Sequence, residues 1–116
     1  MKIEVERKEY VRETRVYNYV FDDEDLEQIN KEIKEYCENP ITVTPEEFAK
    51  VCNLDEDFER ANYKLEYKRG TLYYDYTYSL FDFLREYIND TLWEVDYDVE
   101  DCEGGDYYDT VIKSEN

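Results

Sequence analysis

The chain has 116 residues, of which 32 are Asp or Glu, 14 are Lys or Arg and none is His, giving a formal charge of -18. A field of that sign repels DNA, RNA and anionic membranes and draws in basic surfaces over about one Debye length, ~8 Å at physiological salt. It also exceeds what a small domain needs to stay soluble.

The length allows one core rather than two. A hydrophobic fraction of 41%, with 14 Tyr and 5 Phe, argues for a folded chain despite a mean hydropathy of -0.95, because aromatic rings bury large areas. No Gly/Pro/Ser-rich linker divides the sequence, so residues 1–116 read as a single acidic domain. The first twenty residues contain no apolar run that would make a signal peptide or a membrane span. Cys37, Cys52 and Cys102 are odd in number, far apart and without a CxxC pair. They fit unpaired, buried thiols in a reducing cytosol, and the expected location is cytoplasmic.

In chain order, Lys2 to Phe21 is rich in β-branched and aromatic residues and reads as a strand with a bend near Arg12. Asp22 and Asp23 offer an N-cap to a helix carrying Leu26, Ile29, Ile33, Tyr36 and Cys37, which Asn39-Pro40 ends. Thr44-Pro45-Glu46-Glu47 combines an N-cap, Pro at N1 and a capping-box Glu, and predicts a short helix with Phe48, Val51 and Cys52. Tyr63, Leu65 and Tyr67, then Tyr74, Tyr76 and Tyr78, alternate on either side of Lys68-Arg69-Gly70-Thr71 and predict a hairpin. Ser79 with Asp82 caps a helix bearing Leu80, Phe83, Leu84, Tyr87 and Ile88. From Trp93 onward, Trp93, Val95, Tyr97 and Val99 alternate with Glu94, Asp96, Asp98 and Glu100, which predicts a strand. Gly104-Gly105 then turns the chain so that Tyr107 to Lys113 returns as its partner. The expected fold is α+β: an antiparallel sheet of about five strands in hairpins, with two to three helices on one face.

The missing motifs point away from an enzyme. Without His the commonest general base and metal ligand are gone, and the chain has no Walker A run, GxGxxG, GxSxG or paired Cys spacing. No cofactor and no metal are expected. Asp96, Asp98 and Glu100 open a calcium-loop pattern, which then fails because Asp101 stands where Gly is needed and Tyr107 where Glu is needed.

The charge is uneven. Residues 1–70 hold 12 basic and 19 acidic side chains, net -7, whereas residues 71–116 hold 2 basic (Arg85, Lys113) and 13 acidic, net -11. Within the second part, the ladder Glu94, Asp96, Asp98, Glu100 would place carboxylates about 6.6–7 Å apart on one strand face, comparable with successive phosphates on a nucleic-acid strand. The plain alternative is a solvated sheet face. Asp101, next to the ladder, and Tyr74, Asp75 and Tyr76 of the hairpin complete the candidate partner-binding set, Tyr being enriched at interfaces. Asp22 to Asp25 and Asp55 to Asp57 read as caps at helix N-termini. Arg7, Lys8, Arg12 and Arg15 read as cross-strand partners of acids.

In size and acidity, and in the tail Thr110-Val111-Ile112-Lys113-Ser114-Glu115-Asn116, the chain resembles phage-encoded inhibitors that mimic DNA, the anti-CRISPR and anti-restriction proteins. That class shares no common fold. The resemblance implies a cytosolic inhibitor that occupies the basic groove with which a CRISPR nuclease reads the short duplex motif flanking its target. The expected partner is thus a basic nucleic-acid-binding protein, with neither nucleic acid nor a membrane as ligand. An immunity protein that neutralises a basic nuclease toxin, or an acidic metal-dependent enzyme or calcium binder, are the alternatives.

Overall fold

The computed structural model describes residues 1–70, 77–100 and 106–115. Within them the elements run β1 (Lys2–Tyr10), β2 (Thr14–Asp22), α1 (Asp23–Tyr36), α2 (Pro45–Cys52), β3 (Lys64–Glu66), β4 (Thr77–Ser79), α3 (Leu80–Glu94), β5 (Tyr97–Glu100) and β6 (Tyr107–Glu115). The fold is α+β. A four-stranded antiparallel sheet has the order β5-β2-β1-β6, and β3 and β4 form a separate two-stranded sheet.

Alternation along the central hairpin sorts the residues. Ile3, Val5 and Phe21 point to one face and are fully buried with Ile29 and Ile33 of α1, Phe48 and Val51 of α2, and Leu84, Ile88 and Leu92 of α3. Each such side chain contributes about 1.5–3 kcal/mol on burial. Phe21 meets the Phe48 ring edge to face at 5.2 Å. Leu65 of the small sheet is also fully buried.

The helix starts follow their capping chemistry. The Asp22 side chain accepts from the backbone N–H groups of Glu24 and Asp25, and the Asp25 carboxylate accepts from the Asp22 N–H, closing a capping box. Thr44 and Glu47 do the same for α2, and Ser79 Oγ accepts from the Asp82 N–H at the start of α3. Among the described residues no helix is long and apolar enough to cross a membrane.

Four sequence expectations fail, each for a physical reason. Lys2 to Phe21 is not one bent strand. The chain reverses at Val11 to Glu13, pairing Tyr10 with Thr14, and polar Arg12 and Glu13 mark a turn rather than a bend. Trp93 and Glu94 are not in a strand either: with no Gly or Pro to stop it, α3 continues its apolar series Leu84, Ile88, Leu92 to a C-cap at Val95. The alternation from Trp93 overlaps the end of that helix, so β5 keeps only its last four residues.

The third failure concerns β6, which pairs with β1 at the far edge instead of with β5. Beside β5, Asp109 would have met the acids of that strand, whereas beside β1 it meets Arg7. Finally, no helix follows Asp55. Its carboxylate accepts from the Asp57 N–H at 3.0 Å and holds a turn.

Candidate acidic binding surface

The predicted ladder is shorter than the sequence implied. Asp98 and Glu100 lie on the sheet face away from the helices, on the edge strand β5, paired opposite Val16 and Thr14 of β2. Asp96 immediately precedes the strand, and all three are exposed. Glu100 lies 3.8 Å from Lys8 Nζ, an exposed pair that contributes little. Tyr97 and Val99, on the opposite face of β5 beside Tyr17 and Arg15, are 43% and 51% exposed. Asp101, Tyr74, Asp75 and Tyr76 lie outside the described residues.

Glu94 belongs to a different line of charge, one that a strand reading conceals. It is the last residue of α3, and Asp82, Glu86, Asp90 and Glu94 fall at intervals of four along that helix. Such residues share one helix face with a rise of about 6 Å between neighbours. The spacing resembles that of the expected ladder, but the support is a fifteen-residue helix rather than a short edge strand. Each i,i+4 like-charge pair costs about 0.2–0.5 kcal/mol, and Glu94 sits at the helix end where the dipole disfavours a negative charge. α3 has no basic residue in its last turn to offset this. Across a shallow groove, Glu32 of α1 faces Glu86 and Asp90. The signal was legible in the sequence as a period of four, had α3 been extended through Glu94.

The rest of the C-terminal region adds almost no compensating charge. Arg85 turns inward, where its Nη2 reaches Asp109 Oδ2 at 2.7 Å and its Nη1 donates to the Val51 carbonyl at 3.1 Å. Lys113, the other basic residue after position 70, lies 3.0 Å from Glu115. Their hydrogen bond raises the Lys113 pKa and lowers that of Glu115. Asp82, Asp90 and Glu94 of α3, Asp96 at the α3–β5 corner and Asp98 and Glu100 of β5 are therefore exposed, with Glu86 half-buried, and Lys8 lies beside Glu100.

Arg7 is also drawn inside. Its Nε and Nη2 bind the two Asp109 carboxylate oxygens at 2.6 and 2.8 Å, and Nη2 also donates to Asn89 Oδ1. Burying two guanidiniums around one carboxylate removes cations from the surface of an already acidic protein.

The Asp22 to Asp25 cluster serves the α1 N-terminus, as its spacing implied, and Asp25 has a second role. Tyr87 Oη donates to Asp25 Oδ1 at 2.8 Å, and Tyr19 Oη lies 3.4 Å from both carboxylate oxygens. Burial and then the Asp25 carboxylate push both phenols above their ordinary range. Cys37 and Cys52 are free and buried, and burial raises both thiols. Among the described residues, no group of three or more Cys, Asp and Glu side chains converges as a metal site.

No family model matches this chain, and no curated protein or solved structure matches it either.

Proposed function

We propose that this protein is a non-enzymatic, cytosolic inhibitor that mimics DNA, occupying the basic nucleic-acid-binding groove of a nuclease, with a CRISPR effector nuclease as its first target. The observation that carries the reading is the α3 carboxylate series Asp82, Glu86, Asp90, Glu94, which is like-charged at every fourth residue and has no basic residue in its last turn. A fold that tolerates such repulsion along the outer face of a helix has gained nothing in stability from it. A groove lined by Lys and Arg supplies the missing counter-charge through charge-assisted hydrogen bonds, and the wider field speeds encounter. Asp96, Asp98 and Glu100 extend the charged surface beyond the helix end.

The test is a direct binding assay against an RNA-loaded CRISPR nuclease, with duplex DNA carrying the flanking motif as competitor. Binding should be mutually exclusive with the duplex, and the variant Glu86→Gln, Asp90→Asn, Glu94→Gln should lose several kcal/mol, each charged hydrogen bond contributing about 1.5–3 kcal/mol. A complex that forms equally well on the DNA-filled nuclease overturns mimicry. Binding only to a nuclease toxin encoded beside the gene assigns the chain to immunity proteins instead.

A further inference from the structure

Leu84, Ile88 and Leu92 of α3 are fully buried and hold the helix against the core. Apolar packing of this kind is non-directional, whereas hydrogen bonds fix direction, and α3 makes several on the side next to its carboxylate series. Asn89 Oδ1 accepts from Arg85 Nη2 at 3.1 Å and from Arg7 Nη2 of β1, which engages both lone pairs of that oxygen. The two arginines are fixed in turn by the buried Asp109 carboxylate of β6, and Arg85 Nη1 also donates to the Val51 carbonyl of α2. Through Asn89, then, the sheet bonds directly to α3. Tyr87 adds a tether to α1, its Oη donating to Asp25 Oδ1 at 2.8 Å.

Arg85 directly precedes Glu86, and Asn89 directly precedes Asp90. The anchoring pair and the carboxylate pair therefore run side by side along the helix, about 100° apart around its axis. Any rotation of one line is a rotation of the other. A turn of roughly 20° carries a group at the helix surface, ~5–6 Å from the axis, through about 2 Å. A displacement of that size takes a carboxylate out of hydrogen-bond range of a cation held in a rigid groove.

We propose that Asn89 is the positioning residue of the α3 carboxylate series: by bridging Arg7 and Arg85 it sets the rotation of α3 about its axis, and with it the direction in which Glu86 and Asp90 meet a basic partner. The inference rests on the reading of that series as the partner-binding surface and adds what holds it in register.

Residual dipolar couplings of the α3 amides, measured on the isotope-labelled intact protein, report helix rotation through their periodic phase. Asn89→Ala should shift that phase by roughly 20°, and Asn89→Asp, which keeps an acceptor for both guanidiniums, should restore it. Affinity for the RNA-loaded nuclease should fall about tenfold in Asn89→Ala and return to within about twofold of wild type in Asn89→Asp. The dependence of affinity on NaCl should be unchanged in Asn89→Ala, which loses no charge, whereas Glu86→Gln with Asp90→Asn flattens it. A residue that served stability alone would lower the thermal midpoint and leave the phase and the affinity of the folded protein where they were. If Asn89→Ala does not fold, Asn89→Gln, whose amide lies one methylene further out, should shift the phase and weaken binding in the same way. An unshifted phase, wild-type affinity despite a shifted phase, or no restoration by Asn89→Asp overturns the proposal. The phase is read without nuclease, so a wild-type protein that binds none fails the mimicry reading, while Asn89 still stands or falls on the phase.

Discussion

Arg7 and Asp109 stand opposite one another on β1 and β6, joined through two hydrogen bonds and buried completely or nearly so. Arg85 shares the same carboxylate from α3. One negative charge thus holds two positive ones inside the fold. Asp109→Asn removes the carboxylate that both arginines share and should destabilise the domain by about 3–5 kcal/mol, the range seen when one partner of a buried pair is lost. Urea unfolding followed by circular dichroism measures it, and a loss below ~1 kcal/mol would mean that water reaches the arginines.

Neutralising the α3 series should have the opposite sign. Glu86→Gln with Asp90→Asn relieves three like-charge i,i+4 contacts at about 0.2–0.5 kcal/mol each, and Glu94→Gln adds about 0.3–1 kcal/mol by removing a carboxylate from the negative end of the helix dipole. The thermal midpoint should rise while affinity for a basic partner falls. A variant that loses both is reporting damage to the fold.

Leu92 and Trp93 distinguish the helix from the strand that the alternation suggests. On α3, Leu92 is fully buried and Trp93 half exposed. Leu92→Ala should cost about 2–5 kcal/mol through cavity formation, and Trp93→Ala should cost less. The reverse order would place this segment in a strand.

Alkaline pH should unfold the protein earlier than neutral pH does. Tyr19 and Tyr87 hold their protons above the ordinary value of 10.0, so as pH rises through that value the unfolded chain loses protons that the folded chain keeps. Stability is fully present below pH ~10 and declines above it until the folded phenols ionise too. Tyr87→Phe should flatten the decline, as read from urea midpoints at pH 8, 10 and 11.

Salt acts on the fold and on the complex in opposite directions. Screening relieves self-repulsion in a chain of charge -18 and weakens attraction to a basic groove. Raising NaCl from 50 to 500 mM should lift the melting temperature and increase the dissociation constant. An affinity independent of salt would count against an electrostatic interface.

The sequence made plain those elements whose signals were local. Asp22, Thr44 and Ser79 announce their helices because a cap is written within four residues. Leu65 and Tyr78 do lie on paired strands, as the hairpin read from their alternation implies, although Tyr74 and Tyr76 fall outside the described residues. What stayed hidden depended on distant partners. Nothing near Asp109 tells that it will meet Arg7, and that contact is part of what puts β6 beside β1. Among site residues, Asp96, Asp98 and Glu100 are exposed as their alternation implied, but Glu94 changed company because a period of two and a period of four coincide between Leu92 and Asp96.

The pairing of β1 with β6 also sets the order of events during synthesis. Arg7 leaves the ribosome 102 residues ahead of Asp109, the carboxylate that it binds in the folded protein. The β1–β2 hairpin can form on its own, but two strands alone are marginal in water, and contacts of such long range are slow to close. Until β6 arrives, the guanidiniums of Arg7 and Arg85 remain hydrated and exposed. The nascent chain therefore displays cations that the folded protein hides.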